Sequence, residues 1–131
     1  MEIINNDSAI VVFNQALDSV EVYWKGYVKS EPYRQVLETA YEAIVKYKAT
    51  QWVADMTYSG VSFTDDQQWV MNKYIPKCGK AGVQRVAIVL SKEVFAKFYG
   101  NKINTSLGEH AAFNEYFKTR EEAHEWLKSF L

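Results

Sequence analysis

Several features that place proteins in special classes are scarce in this sequence. Its 131 residues include one cysteine, Cys78, two prolines and six glycines. One cysteine cannot form an internal disulfide, which is typical of proteins in a reducing compartment. The first residues lack the basic and apolar segments of a secretory signal, and no apolar run approaches the roughly 20 residues that cross a bilayer. We therefore expect a cytoplasmic protein without a membrane span.

Linkers and repeats are lacking as well. No stretch rich in proline, glycine or serine divides the chain, and the length is that of one ordinary domain. Hydrophobic residues make up 48% and aromatic residues 15% of the chain, so it can bury a core without a metal or a disulfide. The prediction is a single domain over residues 1–131.

A strong net charge is also absent, since 15 basic residues face 16 acidic ones. This balance argues against nucleic-acid binding. The distribution is uneven, because residues 67–108 hold seven bases and one acid, Glu93, while the rest holds eight bases and fifteen acids. Such an asymmetry can steer an acidic partner to one face of the protein. The alternative is that these lysines are scattered over solvated surfaces and form no binding face.

The periodicity of apolar residues predicts strands and helices in alternation. Val20, Val22 and Trp24 alternate with polar neighbours, which is typical of a strand covered on one face. Residues 31–48 show the three- and four-residue spacing of a helix instead. The predicted strands are 9–13, 20–24, 51–56, 83–90 and 112–117, and the predicted helices are 31–48, 64–75, 91–99 and a last helix that opens at 119.

Capping residues mark the ends of these helices. Thr64 and Thr119, each followed three residues later by Gln or Glu, have the form of a capping box, and Ser91 can cap a short helix. Pro76 and Gly79 are expected to stop the second helix.

The order β-β-α-β-α-β-α-β-α predicts the fold class. Strands that alternate with helices imply right-handed crossovers and parallel pairing, whereas the first two predicted strands are separated only by a turn and should form an antiparallel hairpin. We predict an α/β fold with a mixed, mostly parallel five-stranded sheet, opened by a β-hairpin and covered by about four helices.

This order, together with four local phrases, resembles the STAS domains, named for sulfate transporters and anti-sigma-factor antagonists. The phrases are Tyr23-Trp24-Lys25-Gly26 and the segments 52–56, 85–89 and 117–127. The chain is most similar to small, stand-alone bacterial members of unknown role. The resemblance implies a STAS-like fold and a regulatory role through binding of another protein.

Phosphorylatable members of that family carry an Asp-Ser-Ser-Gly-like sequence at the start of a helix. The matching stretch here runs from Phe63 to Trp69, and Asp65 matches the family aspartate. Asp66 and Gln67 occupy the serine positions, and Gln68 replaces the glycine. The phosphorylation switch is therefore not expected to transfer as it stands, because Asp66 places a permanent negative charge there.

Asp55 is the first polar residue of interest, because it ends a predicted inner strand and ligand crevices lie beyond the carboxyl ends of such strands. The residues predicted to form a partner-binding or switch loop are Asp55, Thr57, Ser59, Asp65, Asp66 and Trp69. The alternative interpretation is that Asp55 binds the amides of its own loop. His110 and His124 are not at ligand spacing, so no metal and no cofactor are expected.

Aromatic residues of the second and third predicted helices suggest a different use. Core packing explains them, and the alternative is an apolar pocket or a dimer surface. The residues of the proposed pocket are Met71, Tyr74, Phe95, Phe98 and Tyr99. The STAS fold is similar to that of lipid-carrying SEC14-type domains, which implies a small apolar or lipid-like ligand under this hypothesis.

The residues and the resemblance together favour three possible functions in decreasing order. A regulatory, protein-binding module comes first and a carrier of a small apolar ligand second. An enzyme comes third, because local motifs supply no set of nucleophile, base and oxyanion donors. A symmetric homodimer is the oligomer that general frequency favours.

Overall fold

The computed structural model describes residues 1–26, 30–57, 68–101 and 114–131. Within these ranges the chain forms six strands, which make one sheet, and four helices. The strands are β1 Glu2–Asn5, β2 Ala9–Asn14, β3 Ser19–Trp24, β4 Gln51–Asp55, β5 Arg85–Val89 and β6 Asn114–Phe117. The helices are α1 Ser30–Tyr47, α2 Ile75–Lys80, α3 Lys92–Asn101 and α4 Arg120–Lys128, and a π-helical turn Val70–Tyr74 leads into α2.

The sheet keeps the strands in their order along the chain, from β1 to β6. The pairs β1–β2 and β2–β3 are antiparallel, and β3, β4, β5 and β6 pair in parallel. The mixed sheet with its opening hairpin is thus confirmed. Its six strands exceed the five predicted, because β1 shows no two-residue alternation. This strand pairs with β2, and its Ile3 and Ile4 pack against the edge of the core.

One face of the sheet carries the larger core. Val20 and Val22 of β3 pack with Leu37 and Ile44 of α1, and all four are essentially removed from solvent. Burying one such aliphatic side chain stabilises the fold by about 1.5–3 kcal/mol. The apolar stripe predicted for residues 31–48 is therefore the stripe that α1 buries.

The opposite face is covered by α4. Ala123 and Leu127 pack against Val53 of β4 and Ala87 of β5. The prediction that β3 is covered on one face only is wrong, since Glu21 on its second face is 1% exposed. The two-residue alternation of β3 does not separate a buried face from a solvated face. It separates an apolar layer under α1 from a polar layer under α4.

The second helix does not stop at Pro76, contrary to the prediction. The wider π-helical turn, in which Ile75 N–H donates to the Val70 carbonyl, precedes the proline, and Pro76 then lies in the first turn of α2. Proline is tolerated there because its missing N–H is not needed. Gly79 lies inside α2, and the chain leaves the helix at Gly82, whose φ of 116° favours glycine.

Two of the predicted caps are confirmed. The Val94 amide donates to Oγ of Ser91 at 3.2 Å, and the Glu122 amide donates to Oγ1 of Thr119 at 3.1 Å. Each hydroxyl satisfies one of the free amides at the beginning of its helix. The predicted cap at Thr64 lies outside the described residues.

Candidate functional site

A buried carboxylate, Glu21, lies between β3 and α4. Its Oε2 accepts from the Ser19 hydroxyl at 2.7 Å and from the Asn14 amide at 3.1 Å, and Oε1 accepts from the Tyr23 hydroxyl. Nε2 of His124 lies 3.2 Å from Oε1 and completes the set. A carboxylate this far from solvent is stable only when its lone pairs are used. The polar layer under α4 is therefore a hydrogen-bonded network centred on Glu21.

Tyr23 joins this network to a second one. Its ring lies 4.0 Å from the Arg120 guanidinium carbon, a cation–π contact. Burial, together with the hydrogen bond to Glu21, raises the pKa of the Tyr23 phenol far above its usual value of 10.0. The phenol therefore stays protonated and serves as a donor.

Asp55 is the centre of the second network. It ends β4, pairs in register with Tyr23 of β3, and is 5% exposed. Oδ1 accepts from the Thr57 amide at 3.0 Å and from the Thr57 hydroxyl at 2.6 Å. Oδ2 accepts from Nε of Arg120 at 3.0 Å and lies 2.9 Å from Nη2. Oδ1 thus binds Thr57, which follows β4, and Oδ2 binds Arg120 in the first turn of α4.

The Arg120 side chain responds to this environment. Burial alone lowers the pKa of its guanidinium, but the hydrogen bonds to Asp55 and the nearby Tyr23 and Glu21 raise the pKa overall. Arg120 is therefore a permanent cation beside a buried carboxylate, and its hydrogen bonds to Asp55 are charge-assisted, which makes them stronger than bonds between neutral groups.

Asp55 binds both its own loop and the last helix. The carboxylate binds the amide and hydroxyl of Thr57, as the alternative interpretation expected, and it also binds Arg120 of α4. Of the other residues predicted for the loop, Ser59, Asp65 and Asp66 lie outside the described residues. Their convergence on a partner stays a prediction.

Trp69 follows the part of the chain that is not described. Its half-buried ring lies 5.5 Å from the Tyr74 ring, and the Arg34 guanidinium of α1 lies 4.8 Å from its centroid. The pair of Trp69 and Arg34 is partly open to solvent. Its side chains belong to the two types that most often dominate protein interfaces.

The aromatic residues of the predicted pocket are only partly described. Tyr74 is 0% exposed, donates to the Leu37 carbonyl at 2.6 Å and meets the Trp52 ring edge-on at 5.4 Å. Tyr74 is therefore a core residue, and burial raises its pKa well above the usual value. Phe95 is half-buried on α3, whereas the side chains of Met71, Phe98 and Tyr99 lie outside what is described.

Two surface depressions in the described part of the chain are lined by other residues. One of ≈ 640 Å³ runs along the outer side of α1, from Glu31 to Glu42, and one of ≈ 180 Å³ lies between α1 and residues 4–8. The apolar ligand pocket stays a prediction.

The residues that complete the two networks were not predicted from the sequence. Arg120 and His124 lie one helical turn apart on α4 and reach Asp55 and Glu21, which are 65 and 103 residues away in sequence. The available signal was the polar set Ser19, Glu21 and Tyr23 at every second position of one strand. Polar residues at every second position lie on one face of the strand. On an inner strand, a final helix that packs on this face makes it a buried polar layer.

Among the described residues, no group of three His, Cys, Asp or Glu side chains is placed to hold a metal ion. No helix in the described ranges is long and apolar enough to cross a membrane.

Fold and site together define a small mixed α/β domain of the STAS type, with a buried polar layer under its last helix. The model of the SpoIIAA-like family matches residues 19–128, and the chain belongs to that family. This confirms the resemblance to STAS domains that the four local phrases indicated.

A solved structure agrees with this assignment at the level of the fold. An uncharacterized protein with a SpoIIAA-like fold from Shewanella loihica PV-4 superimposes with a TM-score of 0.64 over 95% of this chain and 98% of that chain. The two share 17% sequence identity, so the likeness concerns the fold alone. No curated protein matches the chain.

Proposed function

We propose that this chain is a regulatory module that acts by binding another protein and that has no catalytic role itself. Membership of the SpoIIAA-like family supports the proposal, because domains of this family bind other proteins. The observation that carries it is the position of Asp55. This buried carboxylate anchors the chain at the end of β4, before the segment that leads to residues 63–69, which match the phosphorylation site of related domains.

We place the partner contact on the stretch from Thr57 to Trp69, called the docking stretch below. Trp69 supports this choice, because its half-buried ring and the adjacent Arg34 combine an apolar surface with a cation at one point. Tryptophan and arginine are over-represented among residues that carry binding energy. Asp65 and Asp66 add negative charge to the same stretch, so a partner with basic residues fits best.

The state of the module is part of the proposal. Since Asp66 and Gln67 stand at the serine positions of the family, the module is permanently in one state with respect to that switch. A second regulatory input, if it exists, acts elsewhere. The intact mass of protein purified from its natural host should not change on treatment with a phosphatase.

Site-specific photo-crosslinking tests the docking stretch. A photo-reactive amino acid is placed at Gln68, which is exposed, and in a second variant at Val45 of α1, which is 50% exposed. After irradiation in the natural host, position 68 should crosslink to one protein and position 45 should not. Crosslinking of the same protein from position 45 alone would remove the docking stretch from the proposal.

Affinity measurements with the captured partner complete the test. The double variant Asp66→Ala with Trp69→Ala should bind at least about tenfold more weakly, because a buried aromatic anchor contributes about 2 kcal/mol or more. Val45→Ala should bind normally, and circular dichroism should show that both variants keep the fold. Unchanged affinity of the double variant would contradict the proposal.

A further inference from the structure

α1 lies beside the π-helical turn and α2, and the two segments run in the same direction. The Tyr74 hydroxyl donates to the Leu37 carbonyl at 2.6 Å. Further along both segments, Nζ of Lys77 lies 3.1 Å from Oε2 of Glu38 and 4.0 Å from the centre of the Tyr41 ring. Because these contacts advance together along the chain, the outer sides of the two segments form one continuous surface.

Charged side chains of opposite sign form two rows on this surface. The row on α1 is acidic, and the row on the π-helical turn and α2 is basic. The six residues, called the α1–α2 face below, are Glu31, Glu38, Glu42, Lys73, Lys77 and Lys80. Glu38 and Lys77 pair across the rows, and their side chains are still 46% and 41% exposed. The other four residues are exposed, and none of them has an ion-pair partner within the described ranges.

The acidic row is also concave. A depression of ≈ 640 Å³ follows it from Glu31 to Glu42. Arg34 lines the same depression, and its guanidinium lies 4.8 Å from the centre of the Trp69 ring. Val45, three residues beyond Glu42, is an apolar side chain that is 50% exposed. The row therefore offers a groove with a net negative charge and an apolar end, into which a basic ridge fits.

We propose that the α1–α2 face is an interface between two copies of this chain, related by a two-fold axis that runs between the two rows. A half-turn about such an axis, which lies in the plane of the interface, exchanges the sides on which the rows lie. The acidic row of one copy then lies opposite the basic row of the other. Positions along the axis do not change, so Lys77 faces Glu38 of the second copy. Lys80, the next base, faces Glu42, the next acid.

The arrangement of charge is the reason to expect a second copy in place of a different partner. A surface with one sign of charge fits a partner with the opposite sign, whereas the α1–α2 face carries three acids and three bases in separate rows. An interface between identical surfaces must be complementary to itself, and opposed charges fix its register. Exposed ion pairs each contribute little, so the dimer should be weak and sensitive to salt.

Sedimentation equilibrium of the purified chain tests the interface without any other protein. The dimer should weaken by about tenfold between about 0.05 M and about 0.5 M salt, because salt screens exposed charges. At the lower salt concentration, Glu42→Lys and Lys80→Glu should each weaken association by about tenfold or more, since each change makes two symmetry-related contacts repulsive. Glu125→Lys and Lys118→Glu make the same changes of charge at exposed positions outside this face. These matched controls should associate like the unmodified chain.

A charge swap tests whether positions 42 and 80 oppose each other. Chains with Glu42→Lys and chains with Lys80→Glu, mixed in equal amounts, should form a heterodimer about as stable as the unmodified dimer. Both symmetry-related contacts then join opposite charges again. The double variant should form a homodimer for the same reason. A photo-reactive residue at position 45, beside Glu42, should crosslink to a second copy of the chain.

The interface would be overturned by a chain that stays monomeric at about 0.5 mM and low salt, or by a dimer that neither charge reversal weakens. Failure of the mixed chains to associate would also overturn it. Glu42 and Lys80 are exposed, so both variants should fold, which circular dichroism checks. Should either variant lose its fold, Glu42→Gln and Lys80→Gln carry the test with a smaller expected loss. Capture of a partner at position 68 is read separately, so failure of this interface and failure of the docking proposal are distinguishable.

Discussion

Nε2 of His124 lies 3.2 Å from Oε1 of Glu21, and this contact joins the middle of α4 to the middle of β3. The glutamate is 1% exposed and the histidine side chain 30%. An ionised carboxylate only accepts, so a His124 ring with its proton on Nε2 fits this contact. The contact and the Asp55–Arg120 pair lie one helical turn apart along α4, so two polar anchors fix this helix on the sheet beside its apolar contacts.

The first prediction concerns the unequal importance of the two partners. Glu21→Ala should lower the free energy of unfolding by about 3 kcal/mol or more, because it leaves several buried donors without an acceptor. His124→Ala should lower it by about 1 kcal/mol, since Glu21 keeps its other three donors. Urea denaturation measures both values. Glu125→Gln, at an exposed position of the same helix, is the control, and equal losses for Glu21→Ala and His124→Ala would contradict the network.

The second prediction is a loss of stability in alkali. Tyr23 and Tyr74 have pKa values raised above the usual 10.0, chiefly by burial. The unfolded chain therefore releases these two protons at a lower pH than the folded protein does. The stability that the two phenols provide is complete below pH 10 and is lost as the pH rises above that value.

Absorbance of tyrosinate during an alkaline titration tests this prediction. At least two of the nine tyrosines should ionise only when the protein unfolds. In the double variant with Tyr23→Phe and Tyr74→Phe, the decline of stability above pH 10 should be shallower. Free titration of all nine tyrosines in the folded protein would show that the phenols are not buried as described.

The third prediction uses two neighbouring glycines with opposite conformations. An added Cβ at Gly79 or at Gly82 meets no atom within 4 Å, so neither substitution creates a clash. Gly79 is helical, and Gly79→Ala should raise the free energy of unfolding by about 0.5–1 kcal/mol. Gly82→Ala should lower it by about 1 kcal/mol or more, because φ is 116° there. Thermal unfolding of the pair measures the difference, and a gain in both variants would contradict the turn at Gly82.

The fourth prediction is that the single cysteine is unreactive. Cys78 of α2 is 1% exposed, and burial raises the pKa of its thiol to about 11. The thiolate, which is the reactive form, is therefore scarce at pH 8. Ellman's reagent should modify the folded protein at least about a hundredfold more slowly than the urea-unfolded protein. Rapid modification in the folded state would show that α2 opens readily.

The fifth prediction separates the two leading functions. If the chain is a protein-binding module, native mass spectrometry of gently purified protein should give the 15.2 kDa polypeptide or a multiple of it. A mass excess that disappears on denaturation would favour the carrier of an apolar ligand. It would direct attention to Phe95, Phe98 and Tyr99 of α3.

Local features of the fold were predictable because they depend on neighbours in sequence. The hairpin of β2 and β3, the apolar stripe of α1 and the caps at Ser91 and Thr119 all involve residues a few positions apart. The structure differs from the predicted elements where a contact between distant residues or an unusual helical turn determines the local conformation. β1 becomes a strand through β2, and α2 continues past Pro76 because a π-helical turn precedes it.

The candidate site was predicted less completely than the fold. Asp55 and Thr57 were identified because a polar residue at the end of an inner strand is visible in the sequence. Arg120 and His124 were not identified, because nothing near them in sequence distinguishes them from the other polar residues of the last helix. Their partners depend on how α4 packs on the sheet, which is a tertiary contact that the local sequence does not encode.

The sequence by itself determined the alternation of strands and helices, and with it the fold class and the family, because periodicity and capping are properties of short segments. Only the tertiary structure decided what the second face of β3 meets. Alternation separates two faces of a strand but does not say whether the polar face meets water or another layer. That choice depends on where α4 packs, and its packing places Glu21 and Tyr23 in a buried polar network instead of at the surface.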